Sequence, residues 1–450
     1  MNKFLHFFAK GEDQPLLTDQ NKIDKLYRRN RIAIMLSISI GYGIAYTCRL
    51  GLSIVKKPLL DGGIFSAEEL GVIGSALLYG YAAGKLVNGF LADHANMKRF
   101  LSTGILLSAL INLSMGHTEL LWVWMVLWGL NGWFQGFGAP AGIVSLSNWF
   151  SNRERGRFYG IWSTGHSIGE GLTFVGSGTL VGLFGWQAGF WGPGAVCILV
   201  AILVYIFMQD RPQTLGLPPV ADWKNDHGVQ LRDKEGKPLK TSQAQKLILK
   251  MPTIWILALA SASMYMTRYA VNSWGILYLQ EVKGFSIVKA GSMLGISTVC
   301  GIIGAVAYGF ISDKLFNARR PPVTLFFGLL ELLALSLIFF GPAGNTLVLG
   351  IAFACYGFSL NGLVAALGGL FAVDISPKKA AGAAIGFIGI FSYIGAATQD
   401  LISGYFIDRG TTIIDGVRHY DFSSALIFWI GTSVLSLILA TTLWRAKVSD

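Results

Sequence analysis

About a dozen apolar runs along this chain are each long enough to cross a hydrocarbon core, and they restrict the fold more than any other feature. Their approximate cores are 32–54, 70–92, 100–117, 120–149, 158–184 and 188–208, then 253–280, 288–312, 322–341, 346–373, 380–407 and 422–444. Lipid offers no hydrogen bonds, so runs of this length satisfy their own backbone as helices. The reading is an all-α membrane protein of twelve transmembrane helices. Composition agrees, with 53% hydrophobic and 14% charged residues and 56 glycines, the last suited to closely packed membrane helices. The start is polar and basic, and the first run is long enough to stay in the membrane, so no cleavable signal is expected. Four cysteines, all within apolar runs, and six histidines show no metal or disulfide spacing. No cofactor is expected.

Charge and repetition organise the spans. Six lie on each side of the one long polar stretch. That divides the chain into a first half at 1–208, a linker at 209–251 and a second half at 252–450. The net charge of +11 sits in loops, where it sets orientation and does not imply nucleic acid. Basic residues mark the amino-terminal stretch, Lys98-Arg99, Arg153/Arg155/Arg157, the linker, Lys314/Arg319/Arg320 and Lys378-Lys379. The alternate turns, such as Gly185-Trp186-Gln187, are nearly uncharged, which predicts a multi-pass inner-membrane protein with both termini cytoplasmic. Lys56-Lys57 departs from the pattern, partly offset by Asp61, Glu68 and Glu69. Gly89-Phe90-Leu91-Ala92-Asp93 repeats as Gly309-Phe310-Ile311-Ser312-Asp313 at matching points of the halves. This G-x-x-x-D with trailing basic residues resembles the loops of major facilitator transporters, whose two six-helix halves rock about a central site.

The polar residues within the spans suggest what such a site would hold. Arg49, in Tyr46-Thr47-Cys48-Arg49, and Arg268, in Tyr265-Met266-Thr267-Arg268, occupy matching points of the first and seventh spans. An intramembrane arginine costs at least ~2.5 kcal/mol and marks a functional site by default. Two planar guanidinium forks facing one cavity suit a doubly charged phosphate. The alternative is a structural pair with a buried acid, for which Glu170, Asp374 and Asp400 are candidates. Lys85, in the second span, either snorkels to the interface or attracts the anion. His166 lies four residues before Glu170, so a helix would place them on one face and allow one titrating unit. Tyr42, Tyr46, Tyr265 and Tyr393 either donate to phosphate oxygens or pack. Gln135, in the glycine-rich fourth span, fits a ligand contact or a helix-to-helix hydrogen bond.

Several motifs together resemble the organophosphate:phosphate antiporters of the major facilitator superfamily, from about residue 22 to the last span. They are Gly132-Trp133-Phe134-Gln135-Gly136-Phe137-Gly138, Trp149-Phe150-Ser151 with Arg153-Glu154-Arg155-Gly156, and Asp210-Arg211-Pro212-Gln213 with Gly216-Leu217-Pro218-Pro219. Tyr278-Leu279 with Glu281-Val282-Lys283, Ser312-Asp313-Lys314-Leu315-Phe316 and Pro377-Lys378-Lys379-Ala380-Ala381-Gly382 complete the set. The resemblance implies exchange of a phosphorylated metabolite, such as glycerol 3-phosphate or a sugar phosphate, for inorganic phosphate. A monomer is expected. It implies that Arg49 and Arg268 hold the phosphate, with His166, Lys85, Tyr42, Tyr46, Gln135, Tyr265 and Tyr393 around them. The chain departs from the family at Leu50, at Gly138-Ala139-Pro140-Ala141, at Ile143 and at His166-Ser167-Ile168-Gly169-Glu170. These changes bear on the organic part of the substrate. A membrane sensor of sugar phosphates and a proton-coupled symporter using Glu170 or Asp400 are the competing readings. No nucleophile–base pair or phosphate-cradling loop suggests an enzyme.

Overall fold

The computed structural model describes residues 7–226, 249–316, 319–342, 345–375, 381–414 and 417–445. Lys378-Lys379 and most of the linker lie outside the described residues. Among the described residues, twelve helical segments follow the predicted spans closely. In the first half they are α1 (Gln20–Thr47, resuming at Gly51–Asp61), α2 (Ala67–Ala92) and α3 (Met97–Met115). They continue with α4 (Leu121–Gln135 and Gly138–Trp149), α5 (Asn152–Leu172, a π-turn at Thr173–Ser177, then Gly178–Phe184) and α6 (Ala188–Phe207). The second half holds α7 (Pro252–Glu281), α8 (Ile287–Leu315), α9 (Arg320–Phe340) and α10 (Thr346–Ala365, a π-turn at Ala366–Leu370, then Phe371–Ile375). It ends with α11 (Ala381–Arg409) and α12 (Ser423–Thr442), joined by a hairpin of β1 (Thr411–Ile414) and β2 (Val417–Tyr420) that the apolar pattern did not suggest. Eight of the described segments are long and apolar enough to cross a membrane; α3, α4, α5 and α7 are interrupted or carry more polar residues. Large apolar side chains such as Ile32, Leu36 and Ile40 of α1, with Phe207, Val306, Phe310 and Ile427, face outward, as a bilayer-facing surface requires.

Local signals set several helix starts. Ser66 and Glu69 form a reciprocal capping box at α2, while Asn96 caps α3 and Ser286 caps α8 through backbone N–H groups. The beginning of the linker is not free. Asp210 accepts from the backbone of Met97 at 2.8 Å and of Gly11 at 3.2 Å, and Trp223 stacks on Tyr27 at 4.0 Å, so 209–226 folds against the first half.

The break in α1 at Cys48–Leu50 frees backbone carbonyls within the membrane, and side chains from α3 and α4 satisfy them. Asn112 and Asn131 donate to the Cys48 carbonyl at 3.0 and 2.8 Å, and Gln135 donates to that of Ala45 at 2.8 Å. These bonds let a kinked helix persist where water is absent. Arg49 sits in the break.

The halves meet closely at the end of the molecule that carries Asp61 and the hairpin. Lys57 pairs with Glu281, the backbone N–H of Ala67 donates to Asp408 at 3.1 Å, and Arg418 donates to the Leu60 carbonyl at 3.2 Å. Nearer the centre, Lys56 of α1 and Asp400 of α11 form a buried ion pair at 3.5 Å. Ser273 bridges them, accepting from Lys56 at 2.9 Å and donating to Asp400 at 2.7 Å, and Trp274 donates to the same carboxylate at 2.6 Å. Lys56 therefore belongs to the packed interface, although its sequence context placed it in a turn.

Gly74 of α2 lets Asp400 come this close, because a methyl group there would overlap its Oδ2. Gly74→Ala should accordingly disfavour this closed arrangement by about 1–3 kcal/mol. Gly89→Ala, with nothing within 4 Å of the added methyl, should not. Melting of the two purified variants in detergent checks this, and equal melting temperatures would mean that the α2–α11 contact is not specifically packed.

Candidate functional site

Both arginines are buried near the centre of the interface between halves. Arg49 Nη2 donates to the Tyr269 hydroxyl of α7 at 2.8 Å, and its guanidinium lies 4.0 Å from the Tyr81 ring centre, 5.1 Å from Tyr46 and 5.4 Å from Tyr393. Its Nε and Nη1 are buried and have no hydrogen-bond partner among the described residues. A buried guanidinium held by one phenol and three ring faces keeps strong donor capacity in reserve.

Arg268 is held differently. Its Nη2 donates to Glu170 Oε2 of α5 at 3.1 Å, and Asn272, one helical turn further along α7, donates to Oε1 of the same carboxylate. The arrangement at Arg268 is thus the pairing with a buried acid that was the alternative reading. It also replaces the expected His166–Glu170 unit. A full charge on the facing helix and a second donor from Asn272 hold the carboxylate more strongly than a histidine one turn back on its own helix. His166 instead lies 3.4 Å from the Ser167 hydroxyl, its ring 5.6 Å from that of Tyr46.

Tyrosines connect the two arginines. Tyr393 of α11 packs on Tyr81 at 4.5 Å and on Tyr265 at 5.4 Å between ring centres, and Tyr269 lies 6.3 Å from it. The Arg268 guanidinium is 5.8 Å from the Tyr265 ring. Tyr46 and Tyr42 extend this wall along α1, where Tyr42 stacks on Trp162 at 5.3 Å. Lys85 turns inward and does not snorkel to the membrane surface. Its Nζ lies 5.5 Å from the Tyr393 ring and directly against Gly389 of α11. Gln135 supports the kink beneath Arg49, donating to Ser108 as well as to Ala45. Asp400 is engaged by Lys56, Ser273 and Trp274 at the closed end.

Of the residues singled out from sequence, Arg49, Arg268, Tyr46, Tyr265, Tyr393, His166, Lys85 and Glu170 converge, Tyr42 adjoins them, and Gln135 and Asp400 serve neighbouring structures. Sequence reading missed Tyr81, Tyr269, Asn272, Ser273 and Lys56. Asn272 had a signal, four residues beyond Arg268 on the same helical face. Tyr81 had none, as an aromatic in an apolar run. Chemically, Arg49, Arg268 and Lys85 outweigh the single carboxylate of Glu170, while Lys56 and Asp400 neutralise each other. The surplus of positive charge, amid hydroxyl and guanidinium donors, suits a compact dianion.

The Major Facilitator Superfamily pattern matches residues 33–398. The chain belongs to that superfamily. It is 34% identical to the membrane sensor protein UhpC of Salmonella typhimurium over 87% of this chain and 89% of that one. It is 33% identical to the glycerol-3-phosphate transporter of Bacillus subtilis, over 95% of each. Within the superfamily its relatives thus include a protein named as a carrier of a phosphorylated metabolite and one named as a membrane sensor. A bacterial homolog of the human lysosomal transporter Spinster, in an inward-facing and unoccupied conformation, shares the fold with a TM-score of 0.75 at 16% identity, over 93% of this chain and 97% of that one. This multi-pass membrane protein thus belongs to a superfamily of transporters, not of enzymes.

Proposed function

We propose that the protein exchanges a phosphorylated organic metabolite, glycerol 3-phosphate or a sugar phosphate, for inorganic phosphate by alternating access. The two unpartnered donors of buried Arg49 carry this reading, since a phosphate oxygen is the acceptor they fit. Arg268, Lys85, His166, Tyr46, Tyr265 and Tyr393 complete the phosphate surroundings, with Tyr42 at the edge. The division at 1–208, 209–251 and 252–450 belongs to this reading as two rocking halves and a linker, whose beginning packs on the first half. Basic loops at the end opposite Asp61 support cytoplasmic termini in the inner membrane, so the closed end faces outward. The carrier works as a monomer, because both arginines come from one chain.

The likeness to a protein named a membrane sensor favours a second reading, in which binding is retained and transport is lost. Proteoliposomes separate the two. Phosphate or glycerol 3-phosphate inside should accelerate entry of labelled phosphate severalfold over phosphate-free vesicles. Binding without such counterflow would identify the sensor. Full-rate uptake into phosphate-free vesicles under a pH gradient would identify a proton-coupled carrier.

A further inference from the structure

Glu170 belongs to the first half, yet its two carboxylate oxygens are both taken by residues of the second, Arg268 and Asn272. It sits just before the π-turn of α5, on a stretch pressed against α1, because a side chain at neighbouring Gly169 would overlap the Gly43 carbonyl. The carboxylate is buried, with a residue exposure of 6%, and the guanidinium it binds is the symmetry mate of the one with free donors. One arginine is therefore internally neutralised, while the other keeps two buried nitrogens without a hydrogen-bond partner among the described residues.

We propose that Glu170 is a built-in counter-anion, occupying on Arg268 the place that the substrate phosphate takes in the loaded carrier. Phosphate docks first on Arg49 and then displaces the carboxylate from Arg268. Two consequences follow. Phosphate competes with an intramolecular anion, so its affinity is lower than two free arginines would give. The unloaded carrier also closes without leaving Arg268 charged and unpaired in a dry interface, so a slow net flux accompanies the exchange. A carboxylate tethered to one half and bound to the other ties the halves together only when substrate is absent.

This inference rests on the exchanger reading, and two measurements keep them separable. Phosphate binding by the purified protein in detergent, followed by calorimetry, is compared for wild type, Glu170→Gln and Asn272→Ala. Labelled phosphate exchange and net efflux into phosphate-free medium are then measured in proteoliposomes. Glu170→Gln should bind phosphate about tenfold or more tightly, and its net efflux should fall relative to exchange. Asn272→Ala, which only loosens the carboxylate, should move both readouts the same way by less, and it stands in should the glutamine variant fail to fold. Wild-type affinity and an unchanged ratio of net flux to exchange in these variants would reduce Glu170 to a structural tie. Weaker organophosphate binding with unchanged phosphate binding in Glu170→Gln would make it a contact for the organic group instead. Either result overturns the proposal. Wild-type binding without exchange would refute the carrier reading alone, with the affinity comparison still deciding the role of Glu170.

Discussion

Lys56→Met is expected to destabilise the closed form strongly, while Lys56→Met combined with Asp400→Asn recovers most of the loss. Lys56 and Asp400 are both almost fully buried, and the ammonium lies 3.1 Å from the centre of the Trp274 ring. Removing the cation leaves a carboxylate in a dry interface with only Ser273 and Trp274 as donors among the described residues. Breaking a buried pair in this way costs about 3–5 kcal/mol, whereas replacing both partners is often neutral. A double-mutant cycle on melting in detergent measures the coupling. Equal melting of Lys56→Met and wild type would show that the pair does not hold this end. The same energetics suit a carrier, because desolvation offsets most of the attraction and the contact can release when water enters.

Arg49→Lys and Arg268→Lys should each weaken phosphate binding about tenfold or more, since one charge-assisted contact contributes about 1.5–3 kcal/mol. At Arg49 the loss has two sources. A lysine cannot lie flat on Tyr81 and offer several donors in one plane, and its point charge cannot serve Tyr269 and a phosphate together in the same geometry. At Arg268 a lysine would still pair with Glu170, so folding should survive better than binding. Phosphate titration of the purified variants reads this directly. Unchanged affinity in Arg49→Lys would remove the guanidinium pair from the site.

The order of amino acids revealed the helices, their approximate ends, the doubling of the chain and the two arginines at matching points. It could do so because lipid penalises every unpaired backbone group and every buried charge, so span length and an intramembrane arginine are both visible in one dimension. Tertiary structure alone decided the partners. Glu170 lies one turn from His166 in sequence, yet it binds Arg268 and Asn272 on the facing helix. Lys56 reads as one of two lysines in a turn, and only the approach of α11 over Gly74 makes it half of a buried ion pair. Gln135 looks equally suited to a ligand or a neighbouring helix until the break in α1 supplies carbonyls for it to satisfy. A buried charge or amide must find a partner somewhere, but helical periodicity fixes only neighbours on the same helix. Which helix faces it is set by the packing of all twelve segments, and there the choice between phosphate ligand, structural tie and interface latch is made.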